Sequence, residues 1–166
     1  MMNTKRILLV VILVSLLLAA VATVWAQSGD LPLFADRSAK LTGAWLIDVA
    51  ESNGGLPPFQ ALQTFHGDGT FTETSSLLGG GEEGPAHGVW QRLNNNQYSL
   101  TFYLFVFDEN GEAAGMVRVR AAIQMVDNEH LTAQTAVDFI EPDGTIIPDI
   151  DGGPFTGTRL KVEAAP

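Results

Sequence analysis

Cysteine is absent from this chain, which excludes a disulfide framework, a thiol nucleophile and the attachment of a lipid to a cysteine after export. Basic residues are scarce: 9 Lys and Arg stand against 19 Asp and Glu, a formal net charge of −10 at pH 7. So acidic a chain repels phosphate, and neither nucleic acid nor anionic lipid is expected as a partner. Beyond Ala26 no run is long and apolar enough to span a bilayer, and no ten-residue window after Lys40 shows the stripe of an amphipathic helix. No Gly-x-Ser-x-Gly elbow is present either.

The one long apolar run lies at the start. Lys5 and Arg6 precede Ile7–Ala22, and Val24-Trp25-Ala26 offers residues that a signal peptidase accepts. Residues 1–26 are therefore read as a signal peptide cleaved after Ala26, and the protein as secreted or periplasmic with no membrane attachment once cleaved. A retained anchor is the alternative, disfavoured because the run falls short of the ~20 residues that span a bilayer. Residues 27–40 form a lead-in segment and 41–166 one domain. Removing Lys5 and Arg6 from the 9 basic residues leaves 7 against 19 acidic, a net charge of −12 on the 140 residues from Gln27 to Pro166.

Short β-rich runs separated by Gly, Asn, Asp and Pro dominate those residues, the rhythm of an all-β barrel or sandwich. The runs predict eight strands at Gly43–Val49, Phe59–His66, Thr70–Ser76, His87–Leu93, Gln97–Phe107, Gly115–Val126, His130–Glu141 and Phe155–Val162. Alternation supports the longest of them. Val117, Val119, Ala121, Ile123 and Met125 share a face opposite Arg118, Arg120 and Gln124, and Tyr98, Leu100, Phe102, Leu104 and Val106 form a second stripe. Tyr103, Phe105 and Phe107 make the reverse face of the fifth strand partly apolar, a surface that self-association or the N-terminal segment would cover. In an up-and-down order the connections alternate between the two ends of the barrel. Gly67–Gly69, Asn94–Asn96 and Asp127–Glu129 fall at one end as tight turns, whereas Ala50–Pro58, Leu77–Ala86, Asp108–Glu112 and Pro142–Pro154 form an elaborated rim at the other.

Gly43-Ala44-Trp45 at the start of the first strand, the eight-strand meander and Arg159 in the last strand resemble the Gly-x-Trp signature and late basic residue of the lipocalin, or calycin, superfamily. That resemblance implies an eight-stranded antiparallel up-and-down barrel in which Arg159 packs over Trp45 at the closed end. Gly43-Ala44-Trp45-Leu46, Phe59-Gln60-Ala61-Leu62, Thr64–Thr70, His87-Gly88-Val89-Trp90 and Gly157-Thr158-Arg159-Leu160 resemble, in addition, a family of small exported bacterial all-β proteins. It implies the fold and no activity.

The inward stripes place Phe102, Leu104, Val117, Val119 and Ile123 as candidate ligand-binding residues of the barrel interior. No catalytic set emerges. His66 and His87 are expected at opposite ends of the barrel, about 25 Å apart along a strand rising ~3.3 Å per residue, too far to share a zinc ion. Ten acids crowd the connections of the rim: Glu51, Glu82, Glu83, Asp108, Glu109, Glu112, Glu141, Asp143, Asp149 and Asp151, with no Lys or Arg among them. Asp108, Asn110 and Glu112, and Asp149 with Asp151, alternate oxygen ligands beside glycine, so calcium is the one cofactor the pattern leaves open, set against ordinary turn chemistry. Three function classes follow: a non-enzymatic binder of a small apolar or amphipathic molecule, a filled barrel acting as a structural or oligomerising protein, and a barrel-type cyclase or isomerase. Interior space separates the first two, and convergent titratable groups in that space would favour the third.

Overall fold

The computed structural model describes residues 40–77 and 84–165; the signal peptide expected at 1–26 and the lead-in up to residue 39 lie outside them. The chain is all-β, with strands β1 (Gly43–Val49), β2 (Phe59–Phe65), β3 (Thr70–Ser75), β4 (Ala86–Arg92), β5 (Gln97–Phe107), β6 (Ala113–Met125), β7 (His130–Ile140) and β8 (Ile146–Arg159). Each pairs antiparallel with the next, and β1 pairs with β8 to close the barrel. Among the described residues, closure leaves no unpaired edge strand to recruit another chain.

Alternation decides what is inside. Trp45 and Ile47 on β1, Phe65 on β2, Phe71 on β3, Trp90 on β4, Tyr98, Leu100 and Phe102 on β5, Ile123 and Met125 on β6 and Leu131 on β7 are buried. Most of these lie toward the short-turn end, where the aromatics stack in sequence. Phe65 meets Phe71 at 5.0 Å and Trp90 at 6.1 Å, Trp90 meets Tyr98 at 5.8 Å and Phe71 meets Phe102 at 5.1 Å between centroids. Tilted and edge contacts of this kind suit the ring quadrupoles and add to the burial itself.

Arg159 plugs the closed end. Its guanidinium lies 4.2 Å from the Trp45 ring centroid. It donates to the carbonyls of Asn128 at 2.8 Å, Thr42 at 2.8 Å and Lys40. Trp45 in turn donates its indole N–H to the Leu41 carbonyl at 2.9 Å. Gly43 is needed beneath this stack for two reasons. Its φ of +132° belongs to glycine, and a Cβ there would stand 2.6 Å from the Arg159 guanidinium.

The rim differs from the sequence expectation. Pro142–Pro154, read as a long connection, is a tight turn closed by Glu141 N–H to Thr145 O at 2.9 Å, and β8 begins at Ile146, well before the expected Phe155. A bulge lets this Pro- and Gly-rich segment remain a strand. Val137 pairs with Asp151 and Phe139 with Ile147, so Asp138 alone faces Pro148, Asp149 and Ile150. Asp149 takes the left-handed φ of 50° that the bulge requires. A second irregularity lies between β5 and β6, where Val106 pairs with Gly115 and Phe107 with Ala113, leaving Ala114 as the extra residue. Both hairpins therefore extend the barrel wall at this end.

Candidate functional site

Where the aromatic packing stops, the barrel is hollow. A cavity of about 180 Å³ occupies the half bounded by Val49, Phe102, Leu104, Val117, Val119, Val137 and Phe155, with Ser52, Leu56, Leu77, Gly84 and Ile150 around its mouth. The hollow follows from side-chain size. At this level the inward stripes carry valines and a leucine, whereas the closed half is filled by Trp, Phe and Tyr.

Of the interior candidates, Phe102, Leu104, Val117 and Val119 line the cavity. Ile123 does not. It is inward-facing and 2% exposed, but it belongs to the packed closed half. Other lining residues were not among those candidates, and two of them form a polar pair. Gln63 on β2 and Glu73 on β3 both line the space, paired across neighbouring strands, and the Gln63 amide donates to Glu73 Oε2 at 2.5 Å. Their signal was available: each occupies the inward parity of its strand, Gln63 between Ala61 and Phe65 and Glu73 between Phe71 and Ser75. A polar residue on an inward stripe is the exception worth marking.

The cavity mouth is stitched shut on one side by Asp151. Its carboxylate accepts from Ser52 Oγ at 2.7 Å and from the backbone N–H of Gly54 at 2.6 Å, and Asn53 N–H reaches the Gly152 carbonyl at 2.9 Å. The β1–β2 connection is thereby tied to β8 over the cavity. Burial pushes the Asp151 carboxyl up, but the hydrogen bonds from Ser52, Gly152 and Gly54 outweigh it and hold the group below the ordinary carboxylate range.

The other calcium candidates hold their own turns or neighbouring cations. Asp108 accepts from the N–H groups of Asn110 and Glu112, each at 2.9 Å; with the Glu112 bond foremost, its pKa is lowered. Asp149 is bound to Arg120 at 3.1 Å, so the rim acids do have a basic neighbour, supplied from the outer face of β6. Glu82 and Glu83 lie outside the described residues. Among the described residues no three His, Asp or Glu side chains come together as a metal site.

The expected separation of His66 and His87 is overturned. His66 Nε2 stands 3.4 Å from Thr72 Oγ1, and Thr72 pairs directly with His87. β3 and β4 pair over only Thr70–Glu73, which leaves His87 roughly 10 Å from the closed-end turn. Both histidines are exposed on the outer wall.

That outer wall also holds Asp138, whose side chain is 0% exposed. Arg118 Nε donates to it at 2.8 Å, Arg120 at 2.9 Å and the Asp149 N–H at 3.0 Å. Led by the Asp149 hydrogen bond and opposed by burial, these partners lower its pKa to about 2. On the same wall Tyr103 and Phe105 are 41% and 55% exposed.

Fold and cavity define the class: a closed eight-stranded antiparallel β-barrel, packed at one end and hollow at the other. No known family, curated protein or solved structure matches the chain.

Proposed function

We propose that this is an exported, lipocalin-like barrel that binds a small apolar or amphipathic molecule without transforming it. The observation that carries the reading is the apolar cavity of about 180 Å³ at one end of an otherwise filled barrel. Its size sets the ligand. An apolar cavity of roughly 150 Å³ is enough to admit benzene, so a single ring or a short branched chain suits this one, while a larger molecule would need to project through the mouth. The Glu73 carboxylate accepts from the Gln63 amide, and Asp151 is engaged by the mouth connection. Acid–base chemistry ordinarily calls on a positioned pair of groups with a proton to exchange, which gives binding more support than a cyclase or isomerase.

Toluene is the simplest probe of this reading. A ligand that binds the folded chain alone stabilises it by mass action, so toluene near its solubility limit should raise the melting temperature by a few degrees. Val119→Phe, which fills the cavity, should remove the increase. The experiment is best made on protein recovered from periplasm or medium, whose first residue by mass should be Gln27. No toluene-induced shift in the unaltered protein would sink the binding reading, and Met1 at its start would sink the exported one.

A further inference from the structure

Resting on the binding reading, a finer conclusion concerns the length of the ligand, and it comes from the cavity mouth. Leu56 and Ile150 both line the opening, yet they are 44% and 45% exposed. An exposed aliphatic side chain standing alone needs no explanation; Leu62 and Val89, exposed on the outer wall, line no part of the cavity and are of that kind. Leu56 and Ile150 differ because the backbone around each is pinned. Leu56 ends a turn in which the Ser52 N–H donates to the Leu56 carbonyl at 3.1 Å and the Leu56 N–H donates to Ser52 Oγ at 2.9 Å. Ile150 stands between two anchored aspartates. The Asp149 N–H donates to Asp138 at 3.0 Å, and the Asp151 carboxylate holds Ser52 and Gly54. Through Ser52, the Asp151 clamp sets both side chains at one opening as an apolar collar.

Apolar groups fixed in place before a ligand arrives lose little further freedom in covering it, so their contact is retained as affinity. Volume limits what lies inside. Roughly 150 Å³ admits benzene, with its six carbons, so the cavity of about 180 Å³ is full at about six carbons. We infer that Leu56 and Ile150 are specificity residues of the site, and that the ligand is an amphipathic molecule whose apolar stem is longer than the cavity, runs out against these two side chains and ends in a polar group in water. A stem confined to the cavity would leave the collar uncovered. An apolar end beyond the collar would stand in water and gain nothing.

The test is calorimetric titration of the full chain with 1-butanol, 1-hexanol, 1-heptanol and 1-octanol, which share a head and differ in stem length. A fully buried CH₂ lowers Kd about fourfold, and a half-covered one about twofold. Kd should therefore fall about fourfold per carbon up to hexanol and go on falling about twofold per carbon from hexanol to octanol. In the paired variant Leu56→Ser with Ile150→Ser the second slope should flatten. Leu56→Ala with Ile150→Ala serves should the serine pair fold poorly. If hexanol binds and octanol binds no tighter, or if the second slope is as steep in the paired variant as in the parent, the collar is wrong and the cavity reading stands. If no alcohol binds the unaltered protein, the cavity reading fails and takes this inference with it.

Discussion

Arg159 shows how one side chain can tie the last strand to the entry of the first. Three carbonyls from two separate segments converge on its guanidinium while its face covers Trp45. Lysine cannot reproduce this, since it lacks both the planar face and the forked donors. Arg159→Ala should therefore cost about 2 kcal/mol, combining lost charge-assisted hydrogen bonds with a lost cation–π contact, and Arg159→Lys should recover only part of that. Urea unfolding of the three proteins measures it; a lysine variant as stable as the parent would show that the stacking and the fork contribute nothing.

At the scale of strands, the β7–β8 hairpin depends on Asp138. The bulge opposite it turns the Asp149 N–H toward its carboxylate, and Arg118 and Arg120 close over it from β6. With its folded pKa lowered to about 2 against an unfolded value near 3.9, Asp138 binds a proton more readily in the unfolded chain. Its stabilising contribution is complete above about pH 4 and disappears as the pH falls through 2. Asp138→Asn should therefore melt below the parent at pH 7, with the gap narrowing toward pH 2. The carboxylates of Asp68, Asp108, Asp127 and Asp143, also lowered by hydrogen bonds within their turns, leave a residual acid sensitivity in both proteins. A gap that stays constant from pH 7 to pH 2 would contradict this role.

The same hairpin marks where the sequence stops being readable. Period-two stripes locate β5 and β6 because each turns alternate residues into the barrel, most fully buried toward the closed end, and tight turns such as Asn94–Asn96 mark that end. Residues 146–154 carry two prolines, two glycines and two aspartates, a composition that reads as loop. They form a strand because a bulge absorbs the mismatch and because Gly152 lets the Thr135 carbonyl pass where a Cβ would be 2.5 Å away. Asp138 could not be found either, since it sits at an outward position and is buried by this bulge and by arginines twenty residues upstream. Gln63 and Glu73 were legible in principle. Alternation applied to β2 and β3 puts both inside, and only the pairing of those strands makes them partners.

Across the whole molecule the barrel divides into two halves with different work. The closed half is an aromatic core capped by Arg159 that supplies stability without disulfides; the other half gives up packing for an enclosed space bounded by valines. Removing contact partners from the lining of such a space costs dispersion energy, a cost that a ligand of matching size restores. The most direct measurement is methyl-resolved NMR of the protein titrated with toluene. Resonances of Leu104, Val117, Val119 and Val137 should shift together and saturably, while those of Ile47, Ile123 and Leu131 in the closed half stay in place. Saturable shifts confined to the closed half or to the outer wall, or no saturable shift at all, would contradict a barrel built to hold a small molecule at its open end.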